Sequence, residues 1–163
     1  MTDEVDRLIE AWRRERPDLD VEPMGVLSRV SRLSRHLDLA RRQAFADHGL
    51  ESWEFDVMSA LRRAGKPYRL SPGQLIRETL VTSGTMTNRV DRLAARGFVE
   101  RFPDPNDRRG VQVELSGNGR RAVDSALEAL LLRERDLLAD LSTQDRSTLS
   151  DLLRVLVTPF DQR

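Results

Sequence analysis

The chain has 163 residues, of which 39% are hydrophobic and 33% charged, with 27 basic and 27 acidic side chains and no cysteine. That is enough apolar material for one ordinary domain core. It excludes disulfides, thiol-based redox switching and cysteine-ligated metals. No run of about 20 apolar residues is present to span a membrane, and the acidic N-terminus lacks the basic and apolar blocks of a signal peptide, so a cytoplasmic, non-membrane protein is expected.

The first predicted element is a short amphipathic helix over 3–16, where Val5, Leu8, Ile9 and Trp12 fall at i, i+3, i+4 and i+7 and Pro17 ends the pattern. Pro23 then opens a long helix to about Asp47, with Val26, Val30, Leu33, Leu37, Ala40 and Ala44 in alternating steps of four and three. A third helix, Ser52 to Arg63, is expected to bury Phe55, Met58, Ala60 and Leu61, and Gly65 to Leu70 connects it to the helix SPGQLIRET.

The next segment carries most of the functional information. Ser83 is read as the cap of a helix from about Gly84 to Arg96, with Gly97 just beyond its C-terminus. Met86, Val90, Leu93 and Ala94 make its apolar stripe. Thr85, Thr87, Asn88, Arg89 and Arg92 occupy the other face. Hydroxyls and guanidinium groups suit phosphates, and Asn or Arg suits base edges in a major groove, so Ser83 and this polar face are candidate DNA contacts. Phe98 to Phe102 and the alternating Val111, Val113 and Leu115 predict a hairpin, turned by Pro103, Asp104, Pro105, Asn106 and Asp107. Arg108 and Arg109 at its tip suit a narrow, negative minor groove. Asp107 suits pairing with one of them, since it cannot favourably face phosphate.

A further helix is expected from Asn118 to about Asp140, bearing Val123, Leu127, Leu130, Leu131 and Leu138, with Gly117 and Gly119 read as turn and cap. Ser142 caps the last helix, whose stripe of Leu149, Leu152, Leu153, Leu156 and Phe160 is wide enough to imply a dimer interface. The zero net charge is unevenly spread. Ser83 to Arg101 holds four arginines and two acids, while Met1 to Glu22 holds four arginines and eight acids. His36 and His48 have no metal-ligand spacing, and no phosphate loop or nucleophile elbow is present, so neither an enzyme nor a bound cofactor is expected.

The helix, the DPNDRR tip and the strand VQVEL resemble the MarR family of dimeric winged-helix transcription factors. The family pattern matches Asp107, Arg109, Val113, Leu115 and Ser116, the last standing where threonine is commonest, and the likeness runs from roughly Met24 to Phe160. It implies a mainly α fold with a small β-wing: a winged helix-turn-helix over 52–115, and an intertwined homodimer built from 24–48 and 117–160. Two reading heads would then meet operator half-sites about 10 base pairs apart. The expected function is ligand-responsive repression. A winged helix used only for protein contacts is the rival reading.

The extension EAWRRERPDLD is similar to that of the family's urate-responsive branch. That likeness implies a ligand set of Trp12, Asp56, Arg63 and Arg101 and a small anionic effector, purine-like or else citrate, trans-aconitate or a phenolic compound. Asp56 and Arg63 stand two helical turns apart, about 10 Å, a gap suited to a small planar molecule. Structural readings stand beside these: Trp12 as a core residue, Arg63 at a helix C-terminus, and Arg101 on phosphate or the partner subunit.

Overall fold

The structure, a computed structural model, describes residues 2–105 and 107–161, and for 107–109 the backbone alone. The chain divides into two compact units, Met1–Gln43 and Ala44–Arg163. No helix among the described residues is long and apolar enough to cross a membrane.

The first unit holds α1 (Glu4–Glu15) and α2 (Glu22–Ala46) as far as Gln43. α1 starts in a full capping box. The Asp3 carboxylate accepts the N–H groups of Val5 at 2.8 Å and Asp6 at 3.0 Å, and the Asp6 carboxylate accepts that of Asp3 at 2.8 Å. Both carboxylates also take Arg29 of α2, at 2.8 and 2.6 Å, and Glu4 pairs with Arg32. The first turn of α1 thus satisfies its own free donors and fixes the helix to α2. Bonding to Arg29, and then to the Asp6 N–H, holds the Asp3 carboxyl below its usual range; the Asp3 N–H, then Arg29, does the same for Asp6. Between the helices Val5, Ile9 and Val21 form a small core with Met24 against it. Leu8, Trp12, Val26, Leu27, Val30 and Leu33 remain exposed.

The second unit contains α3 (Ser52–Arg63), β1 (Arg69–Leu70), α4 (Pro72–Thr79), α5 (Ser83–Ala95), β2 (Val99–Asp104), β3 (Asp107–Leu115), α6 (Gly117–Leu137) and α7 (Thr143–Asp161). Its core is built by the stripes expected from helical spacing. Met86, Val90 and Leu93 of α5 share one buried core with Met58 and Leu61 of α3, Leu75 of α4 and Val123, Ala126 and Leu130 of α6. Phe45, at the end of α2, stacks on Phe55 with ring centroids 4.0 Å apart. Arg62 ties α3 to α6 through a forked pair with Asp124, at 2.9 and 3.3 Å.

The sheet has three antiparallel strands in the order β1-β3-β2. β1 is a correction to the expected plain connector: Arg69 pairs with Glu114 and Leu70 with Val113, so the wing's inner strand is bonded on both edges. The outer strand begins at Val99 and runs to Asp104, later than expected. Gly97 takes φ +70°, as a residue closing a helix must. Gly119 differs from its expected role. It lies inside α6, and a Cβ there would stand 2.1 Å from the Phe98 carbonyl oxygen and 2.8 Å from Leu115 Cδ1. Only glycine lets this turn approach the strand so closely.

α7 buries none of its residues. Its stripe is present as expected, with Leu153 36% and Leu152 60% exposed, so within this chain the helix has an apolar face and no core to cover it.

Candidate nucleic-acid interface

The exposed face of α5 is set by its entry. Thr82, not Ser83, is the N-cap: its backbone is extended and its hydroxyl accepts the Thr85 N–H. Ser83 is already helical, and its carbonyl accepts the Thr87 hydroxyl at 3.2 Å. Two adjacent hydroxyl residues had the right chemistry, but only the one with extended backbone points its oxygen back into the helix. Ser83, Thr85, Thr87 and Asn88 are all exposed.

Arg89 and Arg92 converge on one aromatic ring. Their guanidinium carbons lie 5.6 and 4.7 Å from the Trp53 ring centre. Glu51, just before α3, accepts the Trp53 indole N–H at 2.7 Å and Arg92 Nη2 at 2.7 Å. The indole N–H first, and Arg92 second, hold the Glu51 carboxyl below the usual carboxylate range. These side chains and Gly84, Thr85 and Asn88 line an open concavity of about 500 Å³.

The C-terminal end of α5 is fixed by a buried charge. Glu54 is 1% exposed and receives Arg96 Nη1 at 2.7 and 2.5 Å, while Arg96 Nη2 donates to the Gly49 carbonyl at 2.8 Å. Ser116 then joins α5 to α6: its hydroxyl donates to the Gly97 carbonyl at 2.7 Å and accepts the Gly119 N–H at 3.0 Å.

Arg101 projects from the first wing strand onto Asp91 of α5, at 2.5 Å. With Pro72, Thr87, Val90 and Val111 it lines a cavity of about 250 Å³ beneath the polar face. Arg63 reaches Glu78 at 3.2 Å and the Ser59 hydroxyl at 3.0 Å, and Ser59 in turn donates to the Asp56 carbonyl at 3.2 Å. Ser59 therefore stands in the gap between Asp56 and Arg63. Trp12 belongs to the first unit, 43% exposed, with its carbonyl accepting the Arg16 N–H. The side chains of Asp107, Arg108 and Arg109 lie outside the described residues.

A family model described as the MarR family matches residues 48–110, which hold α3, α4, α5 and the wing up to Gly110. The HTH-type transcriptional regulator PecS of Dickeya dadantii is 39% identical over 150 residues, 92% of this chain and 90% of the relative. The chain belongs to the MarR family. The HTH-type transcriptional repressor NicR of Pseudomonas putida is 33% identical over 144 residues, 85% of this chain and 89% of that one. Among solved structures, a mutant MarR from Escherichia coli complexed with operator DNA matches with a TM-score of 0.69 and 26% identity, over 84% of this chain and 95% of that one. The protein is thus a winged-helix transcriptional regulator of the MarR family, and such regulators are not enzymes.

Several residues of this MarR-family head escaped the sequence reading. Glu51 meets Arg92 across 41 positions of chain and Glu54 meets Arg96 across 42, and the Trp53 ring takes Arg89 and Arg92 from the same distant helix, pairings that no local pattern reveals. One signal was available: Glu54 precedes Met58 by four residues and Leu61 by seven, the spacing of the buried face of α3, and a buried acid demands a cation.

Proposed function

We propose that the protein is a homodimeric repressor that binds a pseudo-palindromic operator through α5 and the wing, and that a small anion at Arg101 releases it. The observation carrying this reading is the Arg101–Asp91 pair, which ties the first wing strand to the recognition helix above a small cavity. Thr85, Thr87, Asn88 and Arg89 face the major groove, Ser83 its phosphates, and Arg108 and Arg109 the adjacent minor groove. Residues 52–115 form the reading head, while 24–48 and 117–160, with the exposed stripe of α7, form the dimer. Support comes from the Escherichia coli MarR complexed with operator DNA and from the transcriptional repressor NicR.

An anion entering the cavity competes with Asp91 for the Arg101 guanidinium, whose flat fork binds a carboxylate or a planar oxyanion equally well. The displaced Asp91 no longer holds α5 to the wing, and the spacing of the two heads changes. At about 250 Å³ the cavity is below the size of a drug-like pocket, which selects a small acid. Urate or another purine is the effector favoured by the N-terminal extension; the alternatives are citrate and trans-aconitate, which are polyanions, or a phenolic compound. Linkage requires operator DNA to weaken effector binding by the same factor.

The test is a fluorescence anisotropy titration of the dimer on the DNA upstream of its own gene, at fixed salt, with urate, xanthine, citrate or trans-aconitate. Release by one of these that disappears in Arg101→Ala supports the reading. Full release in Arg101→Ala excludes it. Trp12→Ala and Asp56→Asn in the same titration report whether the set implied by the resemblance acts together. Operator binding untouched by the Arg108→Ala, Arg109→Ala double variant would favour a wing used for protein contacts.

A further inference from the structure

Glu51 is the one carboxylate in a concavity lined otherwise by the Trp53 indole, Gly84 and the hydroxyl, amide and guanidinium groups of α5, where phosphate would repel it. Its two bonds explain why it can stay. It accepts the indole N–H of Trp53, which fixes the ring, and it accepts Arg92, whose guanidinium lies over that ring. Arg89, three residues earlier and so on the same side of α5, reaches the ring but has no carboxylate partner among the described residues. The two arginines of the recognition helix are therefore not equivalent: one is neutralised by its neighbour, and the other is offered outward.

We propose that Glu51 and Trp53 are specificity-determining positioning residues, holding Arg92 out of phosphate contact and aligning Arg89 for the reading contact. This rests on the DNA-binding reading above. The physical reason is a difference between the two kinds of binding. Affinity for arbitrary DNA grows with each phosphate that is neutralised, whereas affinity for the operator also depends on base contacts made in one geometry. Withholding one mobile cation from each head weakens binding to arbitrary DNA, where the protein can settle wherever that cation meets a phosphate, more than binding to the operator, where base contacts fix the register, and the indole ring presents Arg89 in a fixed direction. Glu51 thus works against the wrong DNA.

The experiment measures anisotropy on operator and scrambled duplexes across about 50 to 200 mM salt, for wild type, Glu51→Gln and Arg92→Ala. Gln keeps the shape and can still accept the indole N–H, but releases the guanidinium. Glu51→Gln is expected to steepen the salt slope by about 0.9 for each engaged protomer and to raise affinity for the scrambled duplex, so that the operator-to-scrambled ratio falls. Arg92→Ala is expected to leave the wild-type slope unchanged. An Arg92→Ala slope shallower by that amount would place Arg92 on phosphate and overturn the proposal, as would an unchanged slope and ratio in Glu51→Gln. Absence of salt-dependent DNA binding in the wild type would overturn the DNA reading itself, and this proposal with it.

Discussion

Removing Arg96 should cost far more stability than its partly exposed position indicates. Its partner Glu54 is 1% exposed and, among the described residues, keeps only the Glu51 N–H, at 2.9 Å, once the guanidinium is gone. Breaking a buried ion pair from one side costs about 3–5 kcal/mol, because the remaining charge is left without compensation. The Arg96 side chain is 41% exposed, so water can reach part of the vacated space and the lower end applies, about 3 kcal/mol. For a chain of this size that is roughly 6–12 °C in Tm. The assay is urea denaturation followed by circular dichroism, at one fixed protein concentration since dimerisation contributes. Replacing both residues by leucine should recover most of the loss, since a dry pair of that volume is often no less stable than the ion pair. A loss below about 1 kcal/mol in Arg96→Ala, or a double variant whose loss equals the sum of the singles, would refute the reasoning.

Gly119→Ala should destabilise by about 2–3 kcal/mol despite alanine's better helix propensity, because the new Cβ meets the rigid Phe98 carbonyl; a stabilised variant in the same denaturation assay would show that contact to be soft. The attachment of α1 should depend on acid. The carboxyls of Asp3 and Asp6 are lowered in the fold, so their contribution is fully present above about pH 4 and is lost as the pH falls through their folded values. Amide hydrogen exchange should show 4–15 opening before α3 as the pH is lowered, and simultaneous opening would count against the Arg29 clamp. Leu152→Glu with Leu156→Glu should separate the dimer. Each buried leucine contributes about 1.5–3 kcal/mol and two-fold symmetry doubles the count, so association weakens at least a thousandfold by analytical ultracentrifugation. A dimer that persists at micromolar concentration would remove α7 from the interface.

The helices were legible because their core is built from local repeats: Met86, Val90 and Leu93 lie at steps of four and three, and all are buried. The wing was legible from alternation at Val111, Val113 and Leu115. What escaped was set by partners distant in sequence. Arg69 and Leu70 are a strand only because β3 lies beside them, and no pattern in two residues between turns could reveal it. The same holds for Arg92, whose helical position marks it as outward-facing but whose pairing depends on Glu51 and Trp53. Of the implied ligand set, Arg101 lines a cavity and Arg63 is engaged by Glu78, a distinction that residue type alone does not carry.

The joint at Gly97, Phe98, Ser116 and Gly119 has a mechanical consequence. The Ser116 hydroxyl and N–H bond to two consecutive carbonyls at the exit of α5, and the backbone of α6 lies too close to Phe98 to slide. Helix α5 therefore cannot swivel about its own end without carrying the first turn of α6. Since α6 is 21 residues long, about 30 Å, the two behave as a bell crank whose long arm is α6. A tilt of a few degrees imposed at the far end of that arm is delivered as a rotation of α5, with no need for either helix to bend.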